Sequence, residues 1–203
     1  KSFTVDNHAT ILGGRNIGDE YFEADSELVF LDLDVLAVGP VAGQVSASFD
    51  QYWKSELSYP VASLVDQPPT PQEIAQRGRT FDQLAAQQAG SQYMVALRNS
   101  TLSQRIRQDR VVYHWGQGTV VADDPQKLLH DTSETKYNLS EQLRPYTTDI
   151  REELIIFSPY FVPGKSGVAY FKRLRDRGVR VKILTNSLAS TDVGIVHAGY
   201  ARY

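Results

Sequence analysis

Apolar and polar positions alternate in short runs near both ends of the chain and follow a helical period through much of its middle. Residues 2–6 (SFTVD) and 9–13 (ATILG) predict two short strands, and Asp6-Asn7-His8 between them reads as a tight hairpin turn. Gly13-Gly14-Arg15-Asn16 breaks the second run. Residues 28–38 (LVFLDLDVLAV) alternate as a third strand, with Asp32 and Asp34 on one side and Leu31, Leu33 and Val35 on the other. Gly39-Pro40 stops that run. Residues 41–54 then carry Val41, Val45, Phe49 and Trp53 on one helical face.

A proline-rich loop is predicted over 55–71, with Thr70 as N-cap and Pro71 at the first position of the next helix. Residues 72–98, rich in Gln, Ala and Arg, predict one or two mostly solvated helices broken near Gly90, and a further helical piece fits 101–109. Residues 110–122 (RVVYHWGQGTVVA) return to a β pattern. Asp123-Asp124-Pro125 is a turn and capping signal, and 137–152 reads as a helix interrupted by Pro145. The last sixty residues are the clearest. The continuous apolar run 153–158 (ELIIFS) predicts a strand covered on both faces. A helix over 166–177, spaced by Val168, Phe171, Leu174 and Arg175, is closed by Gly178, and a second strand fits 179–184. This βαβ order predicts a parallel pair. Another helix begins near Thr191-Asp192. The fold class is therefore α/β, with mixed and parallel sheets flanked by helices.

Composition narrows the function. The chain of 203 residues is 41% hydrophobic and 22% charged, as in ordinary globular domains, which excludes collagen-like and disordered classes. Lys and Arg total 21 against 24 Asp and Glu, a net charge of −3, so no nucleic-acid partner is expected. There is no cysteine, which excludes disulfides, thiol nucleophiles and Cys-ligated metals. No apolar run approaches the roughly 20 residues that span a bilayer. The chain opens on KSFTVD, without Met or a signal-peptide pattern, and a helical pattern is still running at Tyr203. An internal window of a longer protein is the expectation.

Lys1, Asp6, Gly13, Gly14 and Asn16 follow the spacing Lys-x4-Asp-x6-Gly-Gly-x-Asn. Lys and Asn donate hydrogen bonds to phosphate oxygens, and glycines let backbone approach a ligand closely. The same residues also suit an ordinary hairpin with a Gly turn. Arg77, Arg79, Arg98, Arg105, Arg107 and Arg110 mark a basic stretch that fits either an anionic membrane surface or a solvated helical face. Tyr21, Phe22, Trp53, Tyr160 and Phe161 suit an apolar approach or core packing. His8, His114, His130 and His197 show no metal-ligand spacing, and each is expected to be structural.

Residues 1–16 (KSFTVDNHATILGGRN) resemble the rear portion of the phospholipase D signature, His-x-Lys-x4-Asp-x6-Gly-Gly/Ser-x-Asn. With IGDEYF, FLDLDVLAVGPV at 30–41, DDPQK at 123–127, LIIFSPYFVPG at 154–164 and RGVRVKILTNSLASTD at 177–192, the chain is similar to bacterial cardiolipin synthases of the C-type branch. The resemblance implies a phospholipase D-like fold of two pseudo-symmetric halves, each partly present. Residues 1–60 would end the first half, 61–136 form a mostly helical insertion and linker, and 137–203 begin the second.

It also implies phosphatidyl transfer between phospholipids through a phosphohistidine, with no metal and no cofactor. One His attacks phosphorus; the other protonates the leaving alcohol. Lys1 and Asn16 would contact phosphate, Asp6 would be the structural motif aspartate, and Gly13 and Gly14 would form the pocket wall. Asp32 would orient a catalytic His. Ser158, Tyr160, Phe161 and Asn186, at the strand ends where open α/β sheets bind ligands, would line the substrate pocket. Thr185 and Asp192 share that rim. Both catalytic histidines would fall outside the chain, so the isolated chain is expected to be inactive. The partners implied are phosphatidylglycerol, a second phospholipid and the membrane surface, and the location implied is bacterial and peripheral to the inner membrane. A phosphodiesterase acting on phospholipid or nucleic acid with water as acceptor, and a non-catalytic phosphate- or lipid-binding module, are the alternatives.

Overall fold

A computed structural model describes residues 1–22, 29–131 and 133–202. The chain divides into two compact units, Lys1–Tyr137 and Asn138–Tyr203.

In the first unit, β1 (Ser2–Val5), β2 (Ala9–Leu12) and β3 (Val35–Val38) form an antiparallel sheet in that order. Asp6 and Asn7 have φ of 50° and 56°, the left-handed pair of a two-residue hairpin turn, which Asp and Asn tolerate. Across β1 and β2, Thr4 and Thr10 are register partners joined Oγ1 to Oγ1 at 2.8 Å, which satisfies the fully buried Thr10. Gly39, at φ 88°, turns β3 into α1 (Pro40–Trp53), with Pro40 at the first helical position. Helix α1 buries Ala42 and Val45. Phe49 and Trp53, which the sequence places on one helical face with Val45, are exposed and stacked on each other at 5.8 Å.

The predicted strand 28–38 shortens to β3. Residue 28 lies outside the described residues, and 29–34 have no ladder partner. There the Asp32 carboxylate accepts from its neighbour Leu33 N–H at 2.7 Å, so a local side-chain bond replaces a ladder bond.

Helices α2 (Pro71–Gln88), α3 (Gln92–Asn99) and α4 (Thr101–Arg107) follow. Thr70 and Glu73 close a capping box on α2, the start that the Thr-Pro signal predicts. Residues 110–122 are not a strand, contrary to their β pattern. No edge pairs with them; Val120 N–H donates instead to the Gln44 side chain of α1 at 3.0 Å. Tyr52 of α1 donates to the Asp123 carbonyl at 2.7 Å.

In the second unit, α5 (Leu139–Thr147) ends before 152 and keeps Pro145 inside it. Strands β4 (Glu153–Phe157) and β5 (Arg180–Leu184) pair in parallel through α6 (Gly164–Asp176), as the βαβ order predicts. Gly178 at φ 84° closes α6 in a Schellman motif: Val179 N–H reaches the Leu174 carbonyl and Gly178 N–H the Arg175 carbonyl. Leu174 and Val179 are also this unit's buried apolar residues among those described, so the motif and the small core coincide. Helix α7 (Gly194–Ala201) starts later than Thr191, because residues 187–193 form a hydroxyl-bonded loop in which Thr191 Oγ1 accepts from Val193 N–H.

Candidate functional site

The open end of the β1–β2 hairpin gathers four of the sequence-predicted site residues. Lys1 Nζ donates to the Gly14 carbonyl at 2.8 Å, and Gly13 N–H donates to the Lys1 carbonyl at 3.1 Å. Gly14 N–H donates to Asp32 Oδ1 at 3.3 Å. The glycines admit carboxylates here. A Cβ on Gly13 would stand 1.7 Å from Asp34 Oδ1, and one on Gly14 would stand 2.7 Å from Asp32 Oδ2. Asp34 in turn holds Arg15 Nε at 2.7 Å, and Arg15 also donates to the Tyr21 carbonyl. That hydrogen bond to Asp34 is the main reason the Arg15 guanidinium is held above its ordinary value.

Asn16 turns aside. Its Nδ2 donates to Tyr21 Oη at 2.9 Å. Asp6 sits in the turn at the far end of the hairpin, where its carbonyl meets His8 Nδ1, and the register keeps it away from Lys1. The ionic partner Asp34 was visible in the sequence only as the second carboxylate of the alternating run, and nothing there paired it with Arg15.

In this arrangement Lys1 keeps two of its three ammonium donors, and Asn16 keeps one amide N–H. The remaining donors of Lys1, beside carboxylates that fix the backbone, suit an anion with several oxygens.

In the second unit the residues past the strand ends come together separately. Ser158 N–H donates to the Leu184 carbonyl at 3.0 Å, continuing the parallel ladder one step. A narrow crevice beyond it is lined by Pro159, Phe161, Thr185, Asn186, His197 and Tyr200. Tyr160 donates to both oxygens of Asp192, at 2.6 and 2.8 Å, and so anchors the 187–193 loop to the end of β4. The Tyr160–Asp192 tie is thirty-two residues apart in sequence, and no local pattern announces it. A larger groove of about 620 Å³ runs beside Val181 and Ile183 of β5, with Val168, Phe171, Lys172 and Arg175 of α6 along it.

No hydrogen bond among the described residues links a histidine to Lys1, Gly14, Asn16 or Asp32. His8 bonds the turn, His130 pairs with Glu134 at 3.2 Å, and His197 packs on Tyr200.

No protein-family model matches the chain, and no solved structure matches it. Cardiolipin synthase C of Escherichia coli is 38% identical over all 203 residues, which cover 42% of that protein. Uncharacterised proteins from two strains of Helicobacter pylori are 33% identical over 206 aligned positions, with this chain covering 40% of each. The chain thus spans about two fifths of the length of the curated relatives it matches. The mixed α/β architecture is consistent with the phospholipase D-like fold that the sequence resembles. From its first residue to its last, the chain is related to a cardiolipin synthase.

Proposed function

We propose that the protein carrying this sequence is a phosphatidyl transferase that makes cardiolipin at the surface of a bacterial inner membrane. It moves a phosphatidyl group from one phospholipid to the glycerol hydroxyl of phosphatidylglycerol. The observation that carries this reading is the whole-chain identity to cardiolipin synthase C. The clustering of Lys1, Gly13, Gly14 and Asp32 at one hairpin end supports it.

In this proposal a histidine from outside these 203 residues attacks phosphorus and forms a P–N bond, while the first head-group alcohol leaves with a proton from a second histidine. That second histidine then takes the proton of the incoming glycerol hydroxyl, whose oxygen attacks phosphorus and breaks the P–N bond. Lys1 and Asn16 donate to the non-bridging oxygens as charge builds there, and Asp32 orients a histidine. Asp6 holds the hairpin. Ser158, Tyr160, Phe161 and Asn186 form a wall for the lipid. The isolated chain, lacking both histidines, is inactive.

The test is lipid turnover with phosphatidylglycerol as substrate. Cardiolipin formation by the longer protein, falling on the order of 10²–10³-fold on Lys1→Ala, supports the proposal. Phosphatidic acid without cardiolipin makes the protein a hydrolase. Lipid binding without turnover makes it a non-catalytic module. Transfer by the isolated 203 residues overturns the placement of the histidines.

A further inference from the structure

All eighteen residues of α2 are exposed, including the apolar side chains on one face of it. Ile74, Phe81 and Leu84 are 59%, 65% and 50% exposed, and at 100° per residue they fall within one arc of about 80°. Arg77 sits inside that arc, between Phe81 and Leu84. In α4, Leu102 and Ile106 are likewise exposed one turn apart, with Arg105 beside them. A water-facing helix gains nothing from such a stripe.

The charge of the stretch points to what covers it. Residues 71–110 hold six arginines against Glu73, Asp82 and Asp109, a net +3 in a chain of net −3, so the remainder carries −6. Among the described residues none of these arginines forms an ion pair. Arg79 donates to the Gln76 side chain, Arg98 to the Ala89 carbonyl and Arg107 to the Ser103 carbonyl. Five residues beyond Arg110, Trp115 is 81% exposed and packs on Tyr113 at 6.0 Å. Unpaired cations and an exposed apolar stripe on the helices, with an exposed Trp–Tyr pair in the segment that follows them, are the features of an element that lies in a lipid interface.

We propose that α2 to α4, with Tyr113 and Trp115, form a docking element for an anionic bilayer surface. Ile74, Phe81 and Leu84 enter the acyl boundary, and Arg77 snorkels from the same face to the headgroups. Arg105 and Arg110 lie against lipid phosphates. The docking element rests on the reading above only in supposing that the protein works at a membrane, and none of its residues belongs to the candidate site.

The test is flotation of the 203-residue chain with vesicles of phosphatidylglycerol and phosphatidylethanolamine, compared with phosphatidylcholine alone. A net charge of +3 predicts binding on the order of 10²-fold tighter to the anionic vesicles at low salt. The exposed pair Ile74→Asp/Phe81→Asp should reduce it at least about tenfold. Arg77→Gln/Arg105→Gln/Arg110→Gln should remove most of the preference for anionic lipid while leaving helix content by circular dichroism unchanged. In a Trp53→Phe background, Trp115 emission should shift to the blue on vesicle addition. Equal binding to both vesicle types, or wild-type binding by the aspartate pair, overturns the proposal. Loss of self-association in the aspartate pair without any vesicle binding overturns it too, because the face is then a contact between copies. Vesicle binding by the 203 residues with no cardiolipin synthesis by the longer protein leaves the docking element standing and removes the transferase. Cardiolipin synthesis by the longer protein, with vesicle binding of the 203 residues untouched by the aspartate pair, does the reverse.

Discussion

Gly13→Ala asks directly what the two glycines are for. Gly13 is not among the glycines with positive φ, which are Gly39, Gly164 and Gly178, so alanine suits its backbone. Space is the obstacle. The new Cβ would stand 1.7 Å from Asp34 Oδ1 and 2.8 Å from its Cγ, so the carboxylate must swing away. That breaks the 2.7 Å pair with Arg15, whose partners are 30% and 28% exposed. Crowding costs about 1–3 kcal/mol, and the lost pair about 1 kcal/mol more. Removing a glycine from the unfolded chain returns about 0.5 kcal/mol. The net loss is about 2 kcal/mol.

Both tryptophans, Trp53 and Trp115, lie in the first unit, so their fluorescence reports its unfolding alone. With a slope of about 2 kcal/mol per M urea, the midpoint should drop by about 1 M. In an Asp34→Ala background the carboxylate is gone and only the 3.2 Å approach to the residue-34 Cα remains, so Gly13→Ala should cost almost nothing. A coupling of about 2 kcal/mol between the two substitutions is expected. The same loss in both backgrounds would refute the reasoning, since Gly13 would then be serving something other than room for Asp34.

Two further outcomes belong to the second unit. Glu153 Oε1 sits 2.7 Å from Lys182 Nζ and 3.2 Å from Arg180 Nε, and these hydrogen bonds, the one to Lys182 first, hold its carboxyl below the ordinary glutamate value. A depressed folded value means that its stabilisation is complete above the unfolded pKa of about 4.3 and is lost as pH falls through the lower folded value. Carbon NMR titration should place Glu153 below that reference, and Glu153→Gln should flatten this part of the stability profile; an unshifted titration contradicts the ion pairs. Tyr160→Phe removes the donor to Asp192 and should loosen the 187–193 loop by about 1 kcal/mol, read as faster amide exchange there with β4 unchanged. Exchange unaltered in that loop would mean that the tie carries no load.

What was legible in the sequence is what local chemistry decides. Asp6-Asn7 gave the hairpin because few other residue pairs accept two left-handed conformations in succession, and Gly178 gave the end of α6 for the same reason. Thr70 and Pro71 gave the start of α2, since cap and first helical position are adjacent; the reciprocal bond from Glu73 is what the structure adds. What was not legible depends on partners far along the chain. Residues 110–122 have strand propensity but pair with no strand, and a side-chain carbonyl from Gln44 takes one of their donors instead. The alternation at 28–34 was real, yet Asp32 and Asp34 spend it on Gly14 and Arg15 rather than on a ladder. The same two carboxylates recast the candidate site. Composition and spacing marked Gly13 and Gly14 as places where a ligand approaches the backbone, while the structure fills the space beside them with acidic side chains. In the proposed site an anion at this end of the hairpin is met by Lys1, because Asn16 is turned toward Tyr21. Asp32 and Asp34 bond the Gly14 backbone and Arg15, and their two negative charges offset those of Lys1 and Arg15, so the proposed anion site depends on both cations. A site balanced in this way loses anion affinity when either cation goes, and regains part of it when Asp34 is neutralised in an Arg15→Ala background.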